Sequence, residues 1–244
     1  MSEQNKHPMQ LAFEQNLRFL NQESYPPEFF QYLFQPSEYL QVATLGLADF
    51  PSGLLVLADP LCYLGTKYET PLERRVAPGS YSVQAAVLRT RYAGLRYAAA
   101  RLVLMEGPAA RYEIAMPLGR QPADLGKPGV FSFFGVDAGL ACFADAAISL
   151  EYAKFEKEWR QKNPDKNIYD DYFAALFAES YAERSEIQRE GGDFICWRLP
   201  ESGLRLIMFS SGLGDGVYSA YWGLDVDGQP LELVIPFMNP DFFI

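Results

Sequence analysis

With 244 residues, of which 49% are hydrophobic, the chain has enough apolar surface for one sizeable core, which excludes extensive disorder. A formal net charge of −10 would repel phosphates, which argues against nucleic-acid and anionic-membrane binding. The one histidine, His7, stands in a polar N-terminal stretch, so a Ser-His-Asp triad, a Cys-His pair and multi-histidine metal sites lack their imidazole.

In chain order, the stretch "MSEQNKHPMQ" has no apolar core of a secretion signal. A helix is predicted from about Pro8 to Gln22, because Met9, Phe13, Leu17 and Leu20 repeat at intervals of four, four and three. Pro26 and Pro27 interrupt it, and "EFFQYLF" suits a short second helix. "QVATLGLADF" and "GLLVLADP" read as strands separated by Pro51-Ser52-Gly53. "APGSYSVQAAVLRTRY", "LRYAAARLVLME" and "ARYEIAMPL" follow in close succession, and the expectation is a three-membered antiparallel meander. A loop rich in Pro and Gly spans Gly119 to Gly129, and "VFSFFGVDAGLACF" returns to strand.

The period then changes. Ile148, Tyr152, Phe155 and Trp159 mark a helix with Asp145 as its cap. "IYDDYFAALFAESYAER" is a second helix, on which Glu179 and Glu183 form a solvated face. "DFICWRL" and "LRLIMFSS" flank the turn Pro200 to Gly203. "VYSAYWGLD" and "PLELVIPF" flank Val226 to Gln229, whose Asp-Gly pair makes this the clearest hairpin. These elements give an α+β fold: an antiparallel β-rich single domain of two sandwich-like β blocks, with an N-terminal helix and a two-helix insertion. Residues 1–40 are expected to form an N-terminal helical extension, and 41–244 the β-rich domain with its insertion at about 145–189. No apolar run of about 18 residues occurs, so no membrane span is expected.

Cys62, Cys142 and Cys196 are far apart and odd in number, which suits core hydrophobes in a reducing, cytoplasmic compartment. Arginines concentrate between Ala85 and Arg120. Arg89 and Arg91, two apart, are expected on one strand face, where two guanidiniums could meet an anion. Pairing with Glu106 or Glu113 would remove that motive.

The stretch "SSGLGDGVYSAYWGLDVDGQP" invites a nucleotide or calcium reading. Gly212 and Gly214 supply two glycines of G-x-G-x-x-G, but the sixth position is Val217 and a strand follows. No Gly-Lys-Ser/Thr is present. With Asp225 and Asp227 as the third and fifth calcium positions, the twelfth would be Val234, without a carboxylate. Asp225 and Asp227 therefore belong to a turn. Two readings stand for Asp215: it shapes its own turn, or it faces Asp59 and Asp137 across a site.

"ADPL" (Ala58 to Leu61), "APGSYSV" (Ala77 to Val83), "GVDAGLACFAD" (Gly135 to Asp145) and "SGLGDGVYSAYWGLDVDG" (Ser211 to Gly228) occur in this order. Together they resemble the bacterial family called domain of unknown function 4241, over about Gly46 to Phe237. The helical segment Ala146 to Arg189 stands outside the motifs. The resemblance implies a soluble bacterial protein and carries over no catalytic residue; small acidic proteins of this kind often neutralise toxins. The leading expectation is a non-catalytic protein-binding module such as a toxin-neutralising immunity protein, with Tyr81, Tyr218, Arg89 and Arg91 as binding residues. The alternative is a histidine-free hydrolase using Asp59, Asp137, Asp145 and Asp215 as acid and base or around a divalent ion. No cofactor is expected and no metal site is assigned.

Overall fold

The computed structural model describes residues 6–22 and 24–244. Residues 1–5, part of the polar stretch above, lie outside them. The chain opens with helices α1 (Pro8–Leu20) and α2 (Pro27–Leu33), then strands β1 (Leu40–Phe50), β2 (Leu55–Ala58) and β3 (Thr70–Pro71). β4 (Gly79–Thr90), β5 (Gly94–Val103) and β6 (Arg111–Ile114) follow. β7 (Phe134–Val136) and β8 (Leu140–Asp145) lead into helix α3 (Ala146–Lys162). A π-helical turn, Tyr169–Phe173, runs into α4 (Ala174–Arg184). β9 (Phe194–Arg198), β10 (Arg205–Ser210), β11 (Gly216–Tyr218), β12 (Tyr221–Leu224) and β13 (Pro230–Pro236) complete the fold.

Among the described residues the strands pair in antiparallel sheets. A six-stranded sheet has the order β1-β4-β5-β13-β12-β6, a five-stranded sheet the order β3-β2-β8-β10-β9, and β11 and β7 form a two-stranded ribbon. The protein is thus an α+β, antiparallel β-rich fold. Strand alternation explains its layers. Leu55 and Leu57, Ala141 and Phe143, and Ile207 and Phe209 face the six-stranded sheet in one core. Their neighbours Val56, Ala58, Cys142, Ala144, Leu206 and Met208 face a second core, against Ile148, Tyr152, Phe173 and Phe177. The five-stranded sheet is therefore apolar on both faces, and α3 and α4 cover the face that the other sheet leaves open. Asp145 caps α3 by accepting the Ala147 amide (2.8 Å).

Some expectations are corrected. The meander stops at β5, because β13 and then β12 stand between β5 and β6. β6 is short, and its partner comes from the far end of the chain. Phe131 to Phe133 are not strand; pairing begins at Phe134, and the turn Asp137–Gly139 separates β7 from β8. On α1 the predicted stripe holds at its ends, where Met9 and Leu20 pack on the core, and fails in the middle: Phe13 and Leu17 are exposed, and Ala12 and Asn16 are buried. Asn16 wins its place by hydrogen bonding, its Nδ2 donating to Phe237 O (3.3 Å) and its Oδ1 accepting the Asn239 amide (2.8 Å). His7, though exposed, caps α1 through Nδ1 (3.1 Å from Met9 N). Cys142 is buried, whereas Cys62 and Cys196 are exposed rather than core. Among the described residues, no helix is long and apolar enough to cross a membrane.

Candidate functional site

"ADPL", the start of "GVDAGLACFAD" and the glycine-rich start of the last motif meet at one end of the five-stranded sheet, where β2 ends, β8 begins and β10 ends, whereas "APGSYSV" runs into β4 in the other sheet. Asp59 follows β2 and is fully buried. Its Oδ1 accepts the Leu61 amide (2.9 Å), and its Oδ2 accepts the amides of Asp137 (3.0 Å) and Ala138 (2.6 Å). The carboxylate thereby pins the Asp137–Gly139 turn to the end of β2. Burial still raises its pKa above the ordinary carboxylate value, with the amides opposing. Asp137 is exposed and accepts the Tyr63 hydroxyl.

Asp215 is exposed, and its carboxylate accepts no amide among the described residues. It does not shape its own turn. That task falls to Ser211, whose Oγ donates to Gly214 O (2.9 Å), and to Tyr218, whose hydroxyl lies 2.7 Å from Gly214 O and 3.1 Å from Ser211 O. Tyr218 is buried as a loop staple and presents no binding group.

Asp59, Asp137 and Asp215 do share a neighbourhood. Burial, and then their three charges with that of Glu156, push the Cys62 thiol up to about 11. A thiol so raised stays protonated at neutral pH and is a poor nucleophile. Asp145 stands apart: β2 and β8 pair Ala58 with Cys142 and Leu55 with Asp145. Four residues of strand, at about 3.3 Å each, put Asp145 about 13 Å from Asp59. Its oxygens hold the amides of Ser52 and Gly53 and the Ser52 hydroxyl, as well as the α3 cap. Among the described residues, no group of three or more His, Cys, Asp or Glu side chains is placed to hold a metal ion.

A cleft of about 410 Å³ opens beside these turns, lined by Gly139, Ser210 and Gly212 on one side and by Tyr169 and Phe177 on the other, with Arg189 between. Gly212 has φ +72°, and a Cβ there would stand 2.7 Å from Phe237 Cβ. The glycine thus seats its loop tightly on the core. Arg189 is committed to buried Asp193 (Nε to Oδ1, 2.9 Å) and to Ser210 Oγ (2.8 Å).

Next to the aspartates lies a feature that sequence reasoning missed. Phe131, Phe133, Tyr68 and Val217 are 61%, 41%, 63% and 55% exposed. The two phenyl rings are 5.3 Å apart, and Tyr63 and Tyr68 are 6.1 Å apart. A Cβ on Gly135 would lie 3.0 Å from the Tyr63 ring, and Gly135 pairs with Val217 across the ribbon. Thr70 Oγ1 reaches Phe133 O (3.4 Å), which closes the strip. The sequence carried only the strand-like run "VFSFF"; in the structure Ser132 turns inward, donating to Ala115 O (2.8 Å), so the flanking phenyl groups turn out. Asp137 and Asp215 edge this strip.

The remaining candidates do not join it. Arg91 lies in the turn past β4, its guanidinium 6.0 Å from the Tyr92 ring, so it does not share a strand face with Arg89. Arg89 borders a small cavity that also contains Glu38 and Glu186. Neither pairs with Glu106 or Glu113, but the two do not form a clamp. Tyr81, on β4, donates to Ala77 O (2.6 Å) and packs on Phe50.

No curated protein and no solved structure matches the chain. The family described as protein of unknown function (DUF4241) matches residues 48–235, a span that contains the four quoted motifs, the aspartates and the aromatic strip. By that match the chain belongs to the DUF4241 family.

Proposed function

We propose that the protein is a non-catalytic protein-binding module, and that its specific form is a toxin-neutralising immunity protein of the bacterial cytoplasm. The observation that carries this reading is the strip of Tyr68, Phe131, Phe133 and Val217, four exposed apolar side chains on one surface, edged by Asp137 and Asp215. Exposed aromatic clusters are the usual anchors of interfaces. The carboxylates and a net charge of −10 select a basic partner and speed its approach. Lys67 already lies 4.9 Å over the Tyr68 ring, a contact that a partner's cation could repeat. Three free cysteines fit a reducing compartment.

The hydrolase alternative has two of its four aspartates committed to the backbone. Asp59 and Asp145 are engaged by backbone amides, and they stand at opposite ends of the β2–β8 pair. Cys62 is held protonated. The test is co-purification with the products of the genes flanking its own. A stoichiometric complex with a basic neighbour supports the reading; absence of any such complex, under conditions where both proteins are folded, counts against it.

A further inference from the structure

A second cavity, of about 460 Å³, is lined by none of the motif aspartates and lies between the Arg74–Ala77 segment, β4, the end of β5 and the turn before β13. That volume is in the range of small-molecule sites. Arg74, Arg75, Tyr81 and Gln229 give it polar groups, and Leu104 and Met105 give it an apolar wall. Among the described residues, no carboxylate lines it. Arg74 is charge-compensated by Glu113 behind the wall, so Arg75 is the guanidinium that gives this cavity its positive charge in a chain that carries −10 overall.

The two arginines are held differently. Arg74 is fixed: its Nη1 donates to Gly228 O (3.3 Å), its Nη2 pairs with Glu113 (3.5 Å), and its guanidinium lies 5.8 Å over the Trp222 ring. Arg75 is exposed and makes no ion pair among the described residues. The Tyr81 hydroxyl donates to Ala77 O (2.6 Å), which leaves its oxygen free to accept and steadies the Arg75–Ala77 rim. Asp225, which does not line the cavity, accepts the amides of Asp227 (2.9 Å) and Gln229 (2.8 Å) at Oδ1. Met105 is 49% exposed and forms an apolar floor beside the cations.

We infer that this cavity is a binding site for a small organic anion, with a carboxylate or phosphate head on the arginine pair and an apolar body against Leu104 and Met105. Arginine forks match both head groups in a planar, charge-assisted geometry. This inference does not depend on the proposed partner surface.

The experiment is isothermal titration of the full chain with 4-phenylbutyrate, phenyl phosphate and the neutral 4-phenylbutanamide. Saturable binding of either anion, with the amide at least about tenfold weaker, is expected; whichever anion binds tighter names the head group. Loss of one charge-assisted hydrogen bond corresponds to about tenfold in affinity. Arg75→Gln should therefore weaken the anion about tenfold, and Arg75→Lys should recover part of that loss. The exposed position of Arg75 keeps the thermal midpoint of Arg75→Gln at the wild-type value. Binding of the amide as tight as the anions, absence of saturable anion binding, or full affinity in Arg75→Gln overturns the site.

Discussion

Replacing Asp59 with Ala separates a structural carboxylate from a catalytic one. Asp59 is fully buried and accepts three backbone amides, those of Leu61, Asp137 and Ala138. At ~1 kcal/mol for each hydrogen bond, Asp59→Ala loses about 3 kcal/mol. Two of the three donors belong to exposed residues, Asp137 and Ala138, which water can reach once the tether is gone, so the loss should not exceed that by much. The raised pKa shows that ionised Asp59 also carries a desolvation penalty, which its removal relieves and which pulls the figure down. Urea unfolding followed by far-UV circular dichroism is the assay. With a slope of about 2–3 kcal/mol per M, the midpoint should fall by about 1 M at unchanged slope. Amide exchange at residues 137 and 138 should quicken together. A carboxylate kept for chemistry behaves in the opposite way, since stability is unchanged or improved when it is removed. An unchanged midpoint with unchanged exchange at residues 137 and 138 would refute the tether.

Gly212→Ala and Gly214→Ala should differ. Both glycines have positive φ, but only a Cβ at Gly212 meets neighbours, Phe237 Cβ at 2.7 Å and Tyr97 O at 3.0 Å. Thermal or urea unfolding should show a loss of about 3 kcal/mol for Gly212→Ala and about 1 kcal/mol for Gly214→Ala; equal losses would mean that strain alone selects these glycines. Acid sensitivity should trace to Asp49, held at about 2, below its ordinary value of 3.8, chiefly by Arg205. Its folded pKa is depressed, so its contribution is present above the ordinary value and is lost as pH falls through about 2. The stability gap between wild type and Asp49→Asn should therefore close as pH drops from about 5 to 2, and a constant gap contradicts the assignment. Asp59 has the opposite sign: the pH-linked part of its contribution, separate from its amide hydrogen bonds, is present below the ordinary value and lost as pH rises through its raised one, so it adds nothing to acid unfolding.

What the sequence made legible was local. The β4–β5, β9–β10 and β12–β13 hairpins each join strands adjacent in the chain across a turn with its own residue chemistry. What it hid was long-range. The place of β13 between β5 and β12 depends on partners more than a hundred residues apart, as in Ile235 paired with Ala100. On α1 the apolar spacing pointed to Phe13 and Leu17, but Asn16 fits where the backbone of residues 237–239 needs both a donor and an acceptor. The glycine-rich stretch was readable as loop and hairpin, and Asp225 does bond the amides of its turn. Asp215 was not readable, because which carboxylates surround Cys62 is decided by three separate segments meeting in space. The aromatic strip was written in "VFSFF" as a strand-like run, and only the inward turn of Ser132 shows that its phenyl groups face out.

The most direct test of the central claim is titration of the basic neighbouring-gene product with the wild-type chain and with the Phe131→Ser/Phe133→Ser variant. Both side chains are exposed, so the variant should keep the wild-type unfolding midpoint. Two interface aromatics at about 2 kcal/mol each predict weakening of about a thousandfold, with the association rate further reduced by salt. Equal affinity of the variant and the wild type, or no binding by either, would contradict the account.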